Sequence, residues 1–169
     1  MERNISTEEL RAIKRALPDF KKLIEYDDDI RANGLYKLVF VSVFDHWLLP
    51  DEAEAIHVDD NLKELYARRV KFKRFIEEVF RSTTLYTYRY KRHDRLHVQK
   101  LTTLQSVLHR CRFDRLWSES GRGYSFLLPV YGAIYQEEFD WTNMIWYQDE
   151  EQVQPLLAAA EGAGLHLLY

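Results

Sequence analysis

Residues 85–91, Leu-Tyr-Thr-Tyr-Arg-Tyr-Lys, alternate apolar and polar side chains. In an extended chain this sends Tyr86, Tyr88 and Tyr90 to one face and Thr87, Arg89 and Lys91 to the other. Such a strand needs a sheet around it and a layer packed on its aromatic side. "KRHD" at 91–94 then turns the chain. Asp94 suits the N-cap of a helix whose stripe is Val98, Leu101, Leu104, Leu108 and Cys111.

Helical signals dominate what precedes this strand. Ser6 and Glu9 form a capping box, with Ile5 and Leu10 at the staple positions. Leu10, Ile13, Leu17, Phe20 and Ile24 continue one apolar face, which Pro18 kinks or divides. Residues 35–49 give two signals. Val39, Val41 and Val43 alternate as in a strand, whereas the length of the apolar run, ended by Pro50, favours a buried helix. We read it as a helix. A long helix is expected over 60–82, capped by Asp59 or Asp60. Its apolar residues, including Leu62, Leu65, Tyr66, Phe72, Ile76, Val79 and Phe80, span an arc wide enough for packing on more than one side.

After residue 123 the pattern changes. "GYSFLLPVYGAIYQ" and "MIWYQ" read as strands interrupted at Gly132 and at "DWTN". Asp149 caps a late helix with Val153, Leu156, Leu157 and Ala160 on its apolar side, and "LHLLY" adds a last strand. The expected fold is α+β: a helical N-terminal half packed with a small, mainly antiparallel sheet and a late C-terminal helix. Residues 1–169 are expected to form a single globular domain.

Several function classes are disfavoured. The N-terminus lacks the apolar segment and cleavage site of a signal peptide, and the most apolar run, 35–44, is shorter than a membrane span. A soluble, cytoplasmic protein is expected. Cys111 is the one cysteine and falls on an apolar stripe, so a buried small hydrophobe is its expected role. Gly-rich phosphate loops and nucleophile elbows are missing from the sequence, and no cofactor or metal is expected.

Charge is strongly segregated. Residues 1–67 carry −6, residues 68–115 carry +10 and residues 116–169 carry −7. Two binding readings follow. The first is a non-enzymatic protein-binding domain, of inhibitor or immunity type, that docks a basic partner. Its acidic aromatic surface would comprise Glu137, Glu138, Asp140, Trp141, Trp146 and Asp149. The alternative is nucleic-acid binding through the basic segment 89–112, with Arg89, Lys91, Arg92, Arg95 and Lys100 on phosphates. Against it, the tyrosines and arginines face opposite ways, and the pI is near 6.1.

Catalysis ranks third. His93 and His97 are four apart and would converge on a metal only if one helix carried both. If Asp94 caps that helix, His93 lies outside it. Glu137, Glu138, Asp140 and Asn143 supply acids near one turn, but Glu137 and Glu138 alternate faces on a strand.

Overall fold

The computed structural model describes residues 2–24, 34–52, 62–91, 95–111, 124–138 and 141–169. The architecture is mixed α+β. Eight strands form one sheet: β1 (Glu2–Asn4), β2 (Lys37–Ser42), β3 (Leu85–Lys91), β4 (Arg95–Leu101), β5 (Ser125–Leu128), β6 (Ala133–Gln136), β7 (Thr142–Tyr147) and β8 (His166–Leu168). Their spatial order is β1-β4-β3-β5-β6-β7-β2-β8, and every neighbouring pair is antiparallel. The helices are α1 (Thr7–Ala16), α2 (Phe20–Ile24), α3 (Leu62–Ser82), α4 (Leu104–Leu108) and α5 (Glu150–Gly162).

Two hydrophobic cores lie on opposite faces of this sheet. On one, Phe72, Phe75, Ile76 and Val79 of α3 and Val153, Leu156 and Ala160 of α5 meet Val39, Val41, Phe126, Tyr135 and Ile145. On the other, Ile13 and Leu17 of α1 and Phe20 and Leu23 of α2 meet Val98, Leu127, Ile134, Met144 and Trp146. Every residue of β5, β6 and β7 is therefore buried, and alternation no longer separates apolar from polar there.

Local signals set several boundaries as expected. The Ser6 hydroxyl accepts from Glu9 N at 3.0 Å, and Ser6 N donates to the Glu9 carboxylate at 2.9 Å. Pro18 divides the first apolar run into α1 and α2. Asp19 takes a left-handed φ of 51° at the break, and the Tyr36 hydroxyl donates to Pro18 O at 2.8 Å. Asp149 caps α5 by accepting from Gln152 N at 2.7 Å. Gly132 turns the chain into β6 with φ 55°, a left-handed conformation that favours glycine.

Three expectations are corrected. Residues 37–42 are strand β2, between β7 and β8. Val39 and Val41 belong to one core while Leu38 and Phe40 pack against the other, which turns a strand into a continuous apolar run. Residues 95–101 form strand β4, so Val98 and Leu101 lie on opposite faces of the sheet and, of the expected helical stripe, only Leu104–Leu108 is helical. On α3, Leu62 and Tyr66 are exposed, and the helix buries one side, through Arg68, Phe72, Phe75, Ile76 and Val79. The sheet is also larger than expected and draws β1 and β2 from the N-terminal half. The helix cap proposed at Asp94 lies outside the described residues, as do the caps at Asp59 and Asp60.

Phe75 is among the largest fully buried side chains, packed between α3 and the sheet. Phe75→Ala is expected to cost about 3–5 kcal/mol. Ser6→Ala, which removes only a cap, should cost about 1 kcal/mol. Urea unfolding monitored by circular dichroism measures both.

Candidate functional site

β2 and β7 run antiparallel with Ser42 opposite Thr142, and their side-chain hydroxyls are 2.9 Å apart. The pairing continues one step further, where Val43 N donates to Trp141 O at 3.2 Å. Phe44 N then donates to the Ser42 hydroxyl at 3.1 Å and turns the chain out of the sheet. The segment after β2 and the turn before β7 therefore emerge together, at one end of the sheet.

Trp141 occupies the left-handed region at φ 63°. For a bulky residue that conformation costs about 1–2 kcal/mol. Packing holds it there. The indole stacks on Phe72 at 6.5 Å and 24°, and the Arg68 guanidinium lies 5.9 Å from the indole and 5.3 Å from the Phe44 ring. Arg68 is buried, and its charge is met by Glu64 one turn earlier on α3. Each cation–π contact of this sheltered kind contributes on the order of 1 kcal/mol.

Beyond Phe44 the chain is exposed and acidic. His46 bridges two carboxylates, with Nδ1 2.7 Å from Asp45 and Nε2 3.4 Å from Glu52. Glu52 also accepts from Leu49 N at 2.8 Å. Trp47 sits within this loop. Its edge meets Phe40 at 4.7 Å, yet the residue remains 50% exposed, and Leu49 beside it is 65% exposed. The hydrogen bonds to Asp45 and then Glu52 hold the His46 pKa above its ordinary value. Reciprocally, the Asp45 carboxyl is lowered first by His46, and Glu52 is lowered first by the Leu49 amide.

The residues expected to form one acidic aromatic surface are dispersed. Trp141 is half-buried at the end just described. Glu138 is at the same turn, where its amide donates to Asn143 Oδ1 at 2.8 Å and its carboxylate accepts from Gln136 Nε2 at 3.1 Å. Glu137 is only 5% exposed, on the Tyr135 side of the sheet, where burial first and its carboxylate second raise the Tyr135 hydroxyl well above its ordinary pKa. Trp146 is 5% exposed and packs under α1 and α2 on the opposite face from Trp141. Asp149 caps α5 at the far end of β7, roughly 20 Å along the strand. Asp140 lies outside the described residues. Helices on both faces of β7 leave Glu137 and Trp146 buried, where a two-layer fold would have left one side solvated.

Among the acids weighed for catalysis, Glu137 and Glu138 fall on opposite faces as alternation requires. Asn143 is committed elsewhere, its Nδ2 donating to the Tyr135 hydroxyl at 2.6 Å. The basic segment is a hairpin. Pairing of Arg89 with His97 and of Lys91 with Arg95 puts all four register positions on one face, while Lys100 falls on the other. Tyr86 and Tyr88 pack against the second core, and the Tyr88 hydroxyl contacts Ser125 Oγ at 3.4 Å. Arg92 and His93 lie outside the described residues, and His97 is on a strand, which removes the helical spacing assumed for a histidine pair. Among the described residues no group of three or more His, Cys, Asp or Glu is arranged to hold a metal. Cys111 is buried, with its thiol directed at Val107 O at 3.5 Å.

Sequence reasoning passed over Phe44, Asp45, His46, Trp47 and Glu52. "FDHW", rings and titratable groups placed directly after an alternating apolar run, was the available signal. Reading 35–49 as one helix hid it. No family model, curated protein or solved structure matches the chain. No helix among the described residues is long and apolar enough to cross a membrane.

The contribution of the raised His46 is complete below its unfolded pKa and is lost as pH rises through the folded value. Those of Asp45 and Glu52 are present above their unfolded pKa values and are lost as pH falls through the lowered folded ones. The clamp is thus strongest in mildly acidic solution. NMR titration should give His46 a midpoint above 6.5. Replacing both carboxylates, by Asp45→Asn and Glu52→Gln, should return it to the ordinary histidine range.

Proposed function

We propose that this chain is a non-enzymatic protein-binding domain, of inhibitor or immunity type, acting in the cytoplasm on a basic partner. Its docking surface is centred on the loop after β2, Trp47 and Leu49 with Asp45 and Glu52, and continues round the same end of the sheet to Glu138 and the half-buried Trp141. The observation that carries this reading is Trp47, half exposed among solvent-facing carboxylates and braced from below by Phe40. A large ring held rigidly loses little entropy on docking, and surrounding carboxylates steer a cationic partner toward it. Glu138 and Trp141 remain from the surface expected from sequence, while Glu137, Trp146 and Asp149 serve the fold.

Affinity purification from nuclease-treated native lysate tests it. The wild-type chain is expected to retain a basic protein that elutes at high salt. The exposed charge reversals Asp45→Lys and Glu52→Lys should weaken its binding about tenfold or more, with an unchanged circular dichroism spectrum. Equal retention by wild type and variant would remove this surface from consideration.

Nucleic-acid binding stays second, on the observation that Arg89, Lys91 and Arg95 share one face of the hairpin. Its stacking part is weakened, because Tyr86 and Tyr88 are engaged by the second core. It predicts co-purifying material that absorbs at 260 nm and is removed by high salt.

A further inference from the structure

α3 turns Arg68, Phe72, Phe75, Ile76 and Val79 inward, onto one face of the sheet. Helical spacing puts Lys63, Tyr66, Val70, Lys73 and Arg74 on the opposite side, with Leu62 at its margin. Leu62 is 73% exposed and Tyr66, one turn on, is 69% exposed. Two large apolar side chains one turn apart form a patch that folding has left uncovered. Charge divides along the same helix. The buried Arg68 is met by Glu64, and Arg81 in the last turn is met by Glu77 and Glu78. Glu78, four residues from Arg74, is thereby drawn away from it. Lys63, Lys73 and Arg74 are exposed, and none of them takes part in an ion pair among the described residues. Leu62 to Arg74 is therefore about 18 Å of helix that carries an apolar pair and uncompensated cations.

Chemistry selects the occupant. Beyond its first turn the backbone of α3 is bonded within the helix, so an extended peptide would find nothing there to pair with. A partner helix brings its own backbone already paired and presents side chains at one-turn intervals, the spacing of Leu62 and Tyr66. Lys63, Lys73 and Arg74 around that pair attract carboxylates and reject a basic helix. Nucleic acid answers the cations but sets phosphates against Leu62 and Val70. We infer that the outer face of α3 between Leu62 and Arg74 is a second docking site, which takes an acidic amphipathic helix of a partner protein. Its apolar residues would cover Leu62 and Tyr66, and its carboxylates would meet Lys63, Lys73 and Arg74. This face shares no residue with the acidic surface proposed above, and its test does not depend on that reading.

The probe is a capped peptide, two repeats of Leu-Glu-Ala-Leu-Glu-Glu-Ala and about 21 Å long as a helix, titrated into the intact ¹⁵N-labelled chain. Binding is expected to shift the amide resonances of residues 62–74. The same peptide with lysine for glutamate, and one with alanine for leucine, should each bind at least about tenfold more weakly. Lys63→Glu with Lys73→Glu and Arg74→Glu should weaken the acidic peptide by a similar factor, and Tyr66→Ala by about fivefold or more. If the charge-reversed variant does not fold, the position of the shifts in the wild type and the affinity of the alanine peptide decide. Equal binding of the alanine peptide would overturn the proposal, because charge alone would then suffice. So would shifts that fall outside α3, undiminished binding by the charge-reversed variant, or a preference for oligothymidylate or phosphatidylserine vesicles over the acidic peptide.

Discussion

Burial of the antiparallel sheet on both faces is the constraint on which the rest depends. α3 and α5 cover one side, and α1 and α2 cover the other. An antiparallel sheet commonly keeps one face in water, and a chain can then be read strand by strand from alternation. Here β5, β6 and β7 have no solvated side. Groups that look like surface chemistry, such as Glu137, Asn143 and Trp146, are drawn inside and must find partners there. Functional exposure is left to the sheet ends and the outer faces of the helices.

That constraint also explains which parts were legible in the sequence. The capping box at Ser6, the cap at Asp149, the buried stripe of α5 and the strand at 85–91 are local features, and they stand in the structure as expected. β2 and β4 were misread for one shared reason. A strand buried on both sides keeps apolar residues at every offset. Val98 and Leu101, three apart, imitated a helical face although they enter different cores. Leu38 to Val41 likewise imitated a buried helix. Only pairing across long sequence separations, Phe40 with Met144 and with Leu168, or Val98 with Tyr88, distinguishes these cases.

The candidate site was half legible. Trp141 and Glu138 were chosen because rings and acids cluster there in sequence. What organises the site comes from elsewhere: Phe44 after β2, Arg68 on α3 and the His46 clamp. Segregated charge is retained to a useful degree. Among the described residues, ion pairs form within the basic segment, as for Arg81 with Glu77 and Glu78, between the two acidic flanks, as for Lys37 with Glu150, and across one boundary, as for Arg68 with Glu64. An acidic end and a basic hairpin can therefore coexist on one small molecule.

Trp47 has an optical consequence. Trp146 is buried and Trp141 half-buried, whereas Trp47 is half exposed in the loop where His46 joins Asp45 and Glu52. Of these three, it is the indole whose emission lies furthest to the red. Cationic quenchers such as caesium are drawn to this indole by the neighbouring charge, and iodide is repelled. The contrast fades as added salt shortens the screening length. Protonated imidazole is itself a quencher, so the light from Trp47 reports the charge of His46, its neighbour in the chain.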